Sequence, residues 1–191
     1  MLNIVIFGPP GSGKGTQSEA IIEKYGLSHI STGEILRAEI KAGSDIGIIA
    51  ASYIDRGELV PDSVIIEMLD QKLNRLNNSA GVIFDGFPRT VAQARALKEM
   101  LARRNQTIEV MLNLEVNKEE LIARLLKRGE TSGRSDDNLE TITKRIEVYE
   151  RDTAPVIDFY KAEGLYRGVC GVGSVDRIFE RISEALDICI A

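Results

Sequence analysis

A glycine-rich loop directly after a short apolar segment constrains the fold of this chain most strongly. The apolar residues 4–7 are followed by residues 8–16, with the sequence GPPGSGKGT, and then by a helical pattern. Glycines let the backbone turn so that several N–H groups point at one centre, and the helix adds the positive end of its dipole. We therefore predict a phosphate-binding loop between a buried strand and a helix, with Lys14 as the cation for the β- and γ-phosphates.

The loop departs from the usual phosphate-loop pattern at one position. Gly15 stands where most such loops carry serine or threonine, and the hydroxyl comes one residue later, at Thr16. This shift argues against direct ligation of Mg²⁺ by the hydroxyl. A glycine-rich turn with an incidental lysine is the competing interpretation, but the preceding strand and the following helix favour the phosphate loop.

The composition limits the class of protein and its partners. A chain of 191 residues with 43% apolar residues is long enough for one domain with a sizeable core. The net charge of −5 argues against general binding to nucleic acids or membrane surfaces. Cys170 and Cys189 are too few for a disulfide framework and lack metal-ligand spacing. Since the sequence has neither a signal-peptide pattern nor a long apolar run, we expect the protein in the cytoplasm. The single compact domain and the acidic surface make a monomer the expected state.

Short apolar runs alternate with helical patterns along the chain, which is typical of an α/β fold. The strand-like runs lie at residues 2–7, 27–30, 82–84, 108–114 and 165–170. The helical patterns lie at residues 14–25, 62–76, 91–103, 118–128, 138–160 and 175–188. Because the strand-like runs are apolar almost throughout, we predict a five-stranded parallel sheet of the P-loop NTPase type, covered by helices on both faces.

Two segments add material to the simple strand–helix alternation. Residues 31–60 follow the second strand and contain more helical pattern than one crossover needs. Residues 129–137 are polar and join two helices, which fits either a solvated linker or a mobile flap with Gly129 and Gly133 as flexible points. Both segments follow strands at the edge of the sheet where α/β proteins bind their ligands.

Positive side chains lie beside the glycine-rich turns of this chain. They are Lys14, Arg37, Arg89, Arg124, Arg128, Arg134 and Arg145. A single arginine is most often a solvated surface charge, but the planar guanidinium suits phosphate oxygens, and the shared placement favours a phosphate site. Because phosphoryl transfer depends on charge and positioning more than on covalent chemistry, this pattern predicts phosphoryl transfer.

Asp85 and His29 complete the set of candidate groups. Asp85 ends the third apolar run beside the predicted loop, where it can hold Mg²⁺ through water; a carboxylate that caps a turn is the alternative. His29 is the only histidine and is better explained as a structural residue than as a catalyst. A chain without a visible general base favours a phosphate acceptor, which is already an anion, over an alcohol. We therefore predict transfer to a nucleoside monophosphate.

Together these stretches resemble the adenylate kinases, a group within the nucleoside monophosphate kinases. The resemblance extends from Met1 to the C-terminal helix and is most diagnostic at residues 85–90, which read DGFPRT. It implies one kinase domain over residues 1–191, with an NMP-binding insertion at 31–60 and a short lid at 127–137. It also implies reversible transfer of the terminal phosphoryl group from Mg-ATP to AMP, which gives two ADP and serves adenine nucleotide homeostasis.

The resemblance assigns roles to individual residues. The implied ATP-binding residues are Gly11, Ser12, Gly13, Lys14, Gly15, Thr16, Arg128 and Gly173. The implied AMP-binding residues are Thr32, Arg37, Glu58, Leu59, Val60, Gly86, Phe87, Pro88, Arg89, Gln93, Arg134 and Arg145. The implied catalytic residues are Lys14, Arg89, Arg128, Arg134 and Arg145. The same resemblance implies that Asp136 and Asp137 shape closure of the lid. It also implies that Mg²⁺ is held largely through phosphates and water, and that a lid without cysteine holds no structural zinc.

Two positions bear on which nucleoside monophosphate accepts the phosphoryl group. Thr32 and Gln93 are the discriminating positions, because the related UMP/CMP kinases usually carry alanine at the first and asparagines after the GFPR stretch. Gln93 offers a donor and an acceptor to the edge of adenine, although a plain surface glutamine is the alternative. Both positions favour AMP. A UMP/CMP kinase and a non-catalytic module that binds ATP and AMP are the alternative functions.

Overall fold

The computed structural model describes residues 1–76 and 80–190 and contains a five-stranded parallel sheet. The strands are β1 (Ile4–Phe7), β2 (Ser28–Ser31), β3 (Val82–Asp85), β4 (Val110–Glu115) and β5 (Tyr166–Cys170). Their order across the sheet is β2-β3-β1-β4-β5, and every neighbouring pair is parallel. The predicted α/β fold is confirmed, and each strand lies close to its predicted position.

Nine α-helices surround the sheet within the described ranges. They are α1 (Lys14–Tyr25), α2 (Thr32–Ala42), α3 (Asp45–Ile54), α4 (Asp62–Asn74), α5 (Val91–Ala102), α6 (Lys118–Ser132), α7 (Leu139–Val148), α8 (Pro155–Ala162) and α9 (Val175–Ile190). A π-helical turn, Tyr149–Thr153, joins α7 to α8. In this part of the chain, every helix is too short or too polar to cross a lipid bilayer.

Apolar side chains on the two faces of the strands build two core layers. On one face, Val5 and Phe84 pack in a cluster with side chains of α4 and α5. On the other face, Ile4, Ile6 and Ile83 pack with side chains of α1 and α9. Because successive side chains of a strand point to opposite faces, strands that are apolar throughout need helices on both sides.

Serine caps begin the two helices of residues 31–60. Ser31 Oγ accepts a hydrogen bond from the Glu34 N–H at the start of α2, and Ser44 Oγ accepts one from the Gly47 N–H at the start of α3. A Cβ at Gly47 would overlap the backbone of α2, so this glycine allows the two helices to pack closely. The extra helical pattern of this segment therefore forms a tight helix pair after β2.

The structure corrects the predicted end of α6. This helix extends to Ser132, past the predicted end at residue 128, and stops at Gly133, whose φ of 62° lies in the left-handed region. No proline precedes that position in the helix, and a left-handed glycine is a common helix terminator. The first part of the polar segment 129–137 is therefore helical, and only the remainder is a loop.

The predicted continuous helix over residues 138–160 is also corrected. The π-helical turn interrupts it, and the Ala154 N–H donates a hydrogen bond to the Tyr149 carbonyl oxygen at 2.8 Å. Pro155 follows directly and begins α8, where its missing N–H has no cost at the first helical position. The chain thus restarts its helix at the proline instead of continuing α7.

Candidate nucleotide-binding site

A cavity of about 540 Å³ lies at the carboxyl ends of β1, β2 and β3, where the sequence predicts a ligand. The predicted site residues that line it are Gly11, Gly13, Lys14, Gly15, Thr16, Thr32, Arg37, Glu58, Leu59, Val60, Asp85, Gly86, Phe87, Pro88, Arg89, Gln93, Arg128, Arg134 and Arg145. The structure therefore brings the predicted ATP and AMP residues to one cleft.

Two predicted residues lie outside this cleft. The Ser12 side chain is buried within the phosphate loop. Gly173 lines a second cavity of about 300 Å³, together with Gly13, Thr16 and Arg124. Because Gly13 and Thr16 also line the larger cleft, the second cavity adjoins it at the phosphate loop.

The phosphate loop requires glycine at several positions. Gly8, Gly11 and Gly13 have φ angles of 141°, 84° and 96°, a region that other residues rarely adopt. A Cβ at Gly8 would also lie 2.9 Å from the Leu114 carbonyl oxygen of β4. The loop runs directly into α1, whose first N–H groups have no partner within the helix, so the loop and helix together form an anion site.

Lys14 folds over the phosphate loop and is held by oxygens of the loop. Its Nζ donates hydrogen bonds to the carbonyl oxygens of Gly8 at 2.8 Å and Pro9 at 2.9 Å. Within the described ranges, no carboxylate lies within 4 Å of this ammonium group. The charge of Lys14 is therefore not neutralised by an ion pair and is available to an anionic ligand.

Several cations converge on Lys14. Desolvation within the cleft lowers the pKa of Lys14 to about 8; Asp85 opposes this shift, while Arg89, Arg145 and Arg128 add to it. Desolvation and Arg145 also lower the pKa of Arg89, although the Arg89 residue stays open to solvent. Positive groups that depress one another's pKa values in a cleft are typical of a site for a polyanion.

Asp85 supplies a carboxylate to the same cleft. Burial opposes its ionisation, but His29, Lys14 and Arg89 together hold the pKa of Asp85 below its usual value. His29 Nε2 lies 3.8 Å from Asp85 Oδ2, which is beyond hydrogen-bond distance. The Asp85 carboxylate therefore carries its charge into the cleft without a hydrogen-bond partner among the described residues.

The loop after β3 is tied to the start of α2. Thr32 Oγ1 donates a hydrogen bond to the Gly86 carbonyl oxygen at 2.8 Å, and Arg89 Nε donates to the same oxygen at 2.9 Å. Gly86 has a φ of 75°, and a Cβ there would lie 2.9 Å from Thr32 Oγ1. In the described structure the terminal nitrogens of Arg89 make no hydrogen bond, so they can bind a ligand.

Gln93 is locked by hydrogen bonds at the start of α5. Its Oε1 accepts from the Arg89 backbone N–H at 2.7 Å, and its Nε2 donates to Asp62 Oδ1 at 2.8 Å. The Thr90 hydroxyl donates to Asp62 Oδ2 at 2.9 Å. Gln93 is only 2% exposed, so the alternative prediction, a plain surface glutamine, is wrong. Sequence reasoning missed Asp62, whose only local signal is its place at the start of a helix.

Two arginines near residues 127–137, the segment predicted to form a lid, are paired with carboxylates. Arg128 donates to both oxygens of Asp137, at 2.7 and 2.6 Å. Arg145 Nη1 lies 2.8 Å from Asp136 Oδ2 and 3.1 Å from Asp137 Oδ1. Burial alone would raise the pKa of Asp137, but Arg128 and Arg145 lower it below the usual value. These two arginines therefore enter the cleft with their charge balanced.

Comparison with known proteins agrees with this geometry. The family model described as adenylate kinase matches residues 6–165. The chain belongs to the adenylate kinase family. It is 60% identical to the adenylate kinase of Phocaeicola vulgatus over 187 residues, which cover 98% of this chain and 99% of that protein. Adenylate kinases of Bacteroides thetaiotaomicron and Porphyromonas gingivalis W83 are 59% and 53% identical over the same share of the chain, covering 99% and 96% of those proteins.

The cleft contains one candidate cation to which no nucleotide was assigned, Arg124, and two residues that the sequence did not single out, Tyr149 and Thr153. Arg124 lines both cavities, donates to Glu120 at 2.8 Å and to the Gly171 carbonyl oxygen at 3.0 Å. Arg124 was predicted as one of the cations beside the glycine-rich turns, and the structure places it at the cleft. Tyr149 and Thr153 line the larger cleft from the π-helical turn, which no sequence pattern predicted.

Proposed function

We propose that this adenylate kinase transfers the terminal phosphoryl group of ATP to AMP, forming two ADP, through the residues of the larger cleft. One observation carries the proposal: a phosphate loop and a second set of polar and cationic residues line the same cavity around Lys14. A cleft with these two halves suits two nucleotides whose phosphates meet between them.

ATP lies over residues 11–16 in this proposal. The N–H groups of the loop and of α1 bind its phosphates, and Lys14 exchanges the carbonyl oxygens of Gly8 and Pro9 for phosphate oxygens. The adenine of ATP lies in the smaller cavity beside Gly173. The position of that cavity next to the phosphate loop supports this placement.

AMP lies on the opposite side of the cleft. Arg37 and Arg89 bind its phosphate, while Thr32 and Gln93 lie at its adenine and residues 58–60 form the far wall. All of these residues line the cleft, and the terminal nitrogens of Arg89 have the fork geometry that suits two phosphate oxygens.

Transfer depends on positive charge around the moving phosphoryl group. An oxygen of the AMP phosphate attacks the γ-phosphorus of ATP, and the bond from that phosphorus to the bridging β–γ oxygen breaks, so both products are ADP. The acceptor oxygen is already an anion and needs no general base. Charge on the transferred group is stabilised by Lys14, Arg89, Arg128, Arg134 and Arg145. The lid at 127–137 closes over the nucleotides and excludes water that would otherwise accept the phosphoryl group.

The residues of the cleft fit a Mg²⁺ ion that accompanies ATP. Asp85 provides an ionised carboxylate in the cleft and would hold the ion through water, which suits a metal that keeps several waters beside nucleotide phosphates. When bound, Mg²⁺ supplies positive charge to the β- and γ-phosphates. Among residues 1–76 and 80–190, no group of three or more His, Cys, Asp or Glu side chains is arranged to hold a metal.

Measurement of ADP formation from Mg·ATP with AMP, CMP, UMP or GMP as the single acceptor tests the proposal. We expect turnover with AMP far above turnover with the other three. Turnover mainly with CMP or UMP would overturn the roles of Thr32 and Gln93, and binding of ATP and AMP without ADP formation would overturn the proposed transfer. The monomeric state, the cytoplasmic location and the lack of structural zinc stay predictions.

A further inference from the structure

The side-chain amide of Gln93 is held between a group that only accepts hydrogen bonds and a group that only donates them. Its Nε2 donates to the Asp62 carboxylate, and its Oε1 accepts from the Arg89 backbone N–H. A reversed amide would place its oxygen against the carboxylate and its NH₂ against the N–H. The orientation of the amide is therefore fixed by the chemistry of its two neighbours.

The fixed amide leaves a defined pattern for a ligand. The two bonds use one of the two amide hydrogens and one of the two lone pairs of the carbonyl oxygen, so one donor and one acceptor remain. The edge of adenine presents an amino donor at C6 and a nitrogen acceptor at N1, which match this pair. Hypoxanthine and guanine present the opposite order, a carbonyl oxygen at C6 and an N–H at N1.

Asp62 is itself held in place by the protein. It is the first residue of α4, and its Oδ2 accepts from the Thr90 hydroxyl at 2.9 Å. Thr90 caps α5, since its Oγ1 accepts from the Gln93 backbone N–H at 3.1 Å. The starts of two helices thus set the position of the carboxylate before any ligand binds.

We propose that Asp62 is a positioning residue that selects 6-amino over 6-oxo purine monophosphates by fixing the orientation of the Gln93 amide. The inference rests on the proposed function, because it takes Gln93 as the residue that faces the acceptor base. Asp62 acts through Gln93 and does not contact the nucleotide. It therefore affects the choice between two acceptors more than the chemical step.

Two variants of Asp62 separate this role from a purely structural one. Asp62→Asn introduces a side chain that can donate to a reversed Gln93 carbonyl, whereas Asp62→Ala only removes the acceptor. We expect the ratio of kcat/KM for AMP to that for inosine monophosphate to fall about tenfold in Asp62→Asn and about threefold in Asp62→Ala. A purely structural role predicts the opposite order, because asparagine preserves the shape of aspartate better than alanine does.

The experiment measures ADP formation from Mg·ATP with each acceptor, and the KM for ATP and the Tm report on folding. Asp158→Asn is the matched control, since Asp158 is an exposed acid in the first turn of α8, and it should leave the ratio unchanged. Equilibrium binding of AMP and inosine monophosphate gives the same ratio if a variant turns over poorly. An unchanged ratio, or a larger fall in Asp62→Ala, would overturn the role of Asp62. A wild-type protein that forms no ADP from AMP would instead overturn the proposed function, while the binding ratio would still decide on Asp62.

Discussion

Lys14 and Arg89, at the carboxyl edge of the sheet, differ from Arg128 and Arg145, beside the proposed lid, in how their charge is held. Lys14 and Arg89 donate to backbone carbonyl oxygens of their own loops, and the carboxylate nearby is that of Asp85. Arg128 and Arg145, in contrast, form close ion pairs with two buried aspartates. The carboxyl edge of the sheet thus carries net positive charge, whereas the cluster of Arg128, Arg145, Asp136 and Asp137 carries no net charge.

Because their charge is held differently, the two regions can have different tasks. A region with unbalanced positive charge attracts polyphosphate from solution and stabilises charge during transfer. A region whose arginines are paired with acids is held together by those pairs, and its arginines reach phosphate only by sharing or exchanging their carboxylates.

The largest effect is expected at the sheet edge. Arg89→Ala should lower kcat for ADP formation by about a thousandfold or more, because it removes a preorganised charge from the transferred group. The Tm should change little, since Arg89 makes a single side-chain hydrogen bond to the protein. Steady-state kinetics and thermal unfolding check both parts.

Arg95→Ala is the control for this change, because Arg95 is an exposed arginine on α5 outside the cleft. It should leave both kcat and Tm close to the wild-type values. Wild-type turnover by Arg89→Ala would show that Arg89 is not a catalytic residue. It would also contradict the claim that its unpaired charge stabilises the transferred group.

The second effect concerns the ion pairs beside the lid. Asp137→Asn should lower the free energy of unfolding by about 3 kcal/mol, because the side chain of Asp137 is fully buried and both Arg128 and Arg145 lose a charged partner. Denaturant unfolding measures the change. Because the pKa of Asp137 is lowered by folding, its stabilisation is present at neutral pH and is lost as the pH falls through that lowered pKa.

Asp152→Asn provides a matched comparison. Asp152 also accepts two hydrogen bonds from an arginine, at 2.7 and 2.6 Å from Arg151, but this pair is largely exposed to solvent. Its loss should cost less than about 1 kcal/mol. Equal losses in Asp137→Asn and Asp152→Asn would mean that the pairs beside the lid do not hold this region together.

A smaller effect is expected from the glycines first considered as flexible points. A Cβ at Gly129 would lie 2.6 Å from the Asp137 carbonyl oxygen, so Gly129→Ala should destabilise the protein by about 2 kcal/mol through overpacking. At Gly133 a Cβ would meet no atom within 4 Å, and Gly133→Ala should cost about 1 kcal/mol from its φ of 62° alone. A larger loss of stability in Gly133→Ala than in Gly129→Ala, measured by denaturant unfolding, would mean that close packing against Asp137 does not require glycine at position 129.

The smallest effect is a pH dependence at the sheet edge. Because the cleft lowers the pKa of Lys14 from 10.5 to about 8, its ammonium group loses its proton above that pH, and ATP affinity should fall up to about tenfold between pH 7 and 9. Stability changes in the opposite direction. Between about pH 8 and 10.5 Lys14 is protonated in the unfolded chain but not in the folded one, so the free energy of unfolding rises with pH. Equilibrium ATP binding by the wild type and by Lys14→Met checks the first part, and the same fall in both proteins would rule out Lys14 as the cause.

Local sequence patterns were sufficient for the sheet edge. The glycine loop, the strand before it and the DGFPRT stretch each lie within a few consecutive residues, so local structure determines the backbone of each segment. The parallel pairing of β1 with β3, which the apolar strands predict only as part of a sheet, then brings Lys14 close to Asp85 and Arg89. The hydrogen bond between Asp62 and Gln93 joins residues 31 positions apart and depends on how α4 packs on α5. The sequence indicated acids in the lid, but their pairing with Arg128 and Arg145 depends on the contact between α6 and α7.

The role of the charge beside the phosphate loop is measured by the rate of ADP formation from saturating Mg·ATP and AMP by the wild type, Lys14→Ala and Lys72→Ala. Lys72 is an exposed lysine near the end of α4 and serves as the control for loss of a positive charge. We expect rapid turnover by the wild type and Lys72→Ala, and a loss of at least about a thousandfold in Lys14→Ala with the fold retained. Turnover by a folded Lys14→Ala protein within about tenfold of the wild type would contradict the claim that the charge at the sheet edge drives the transfer.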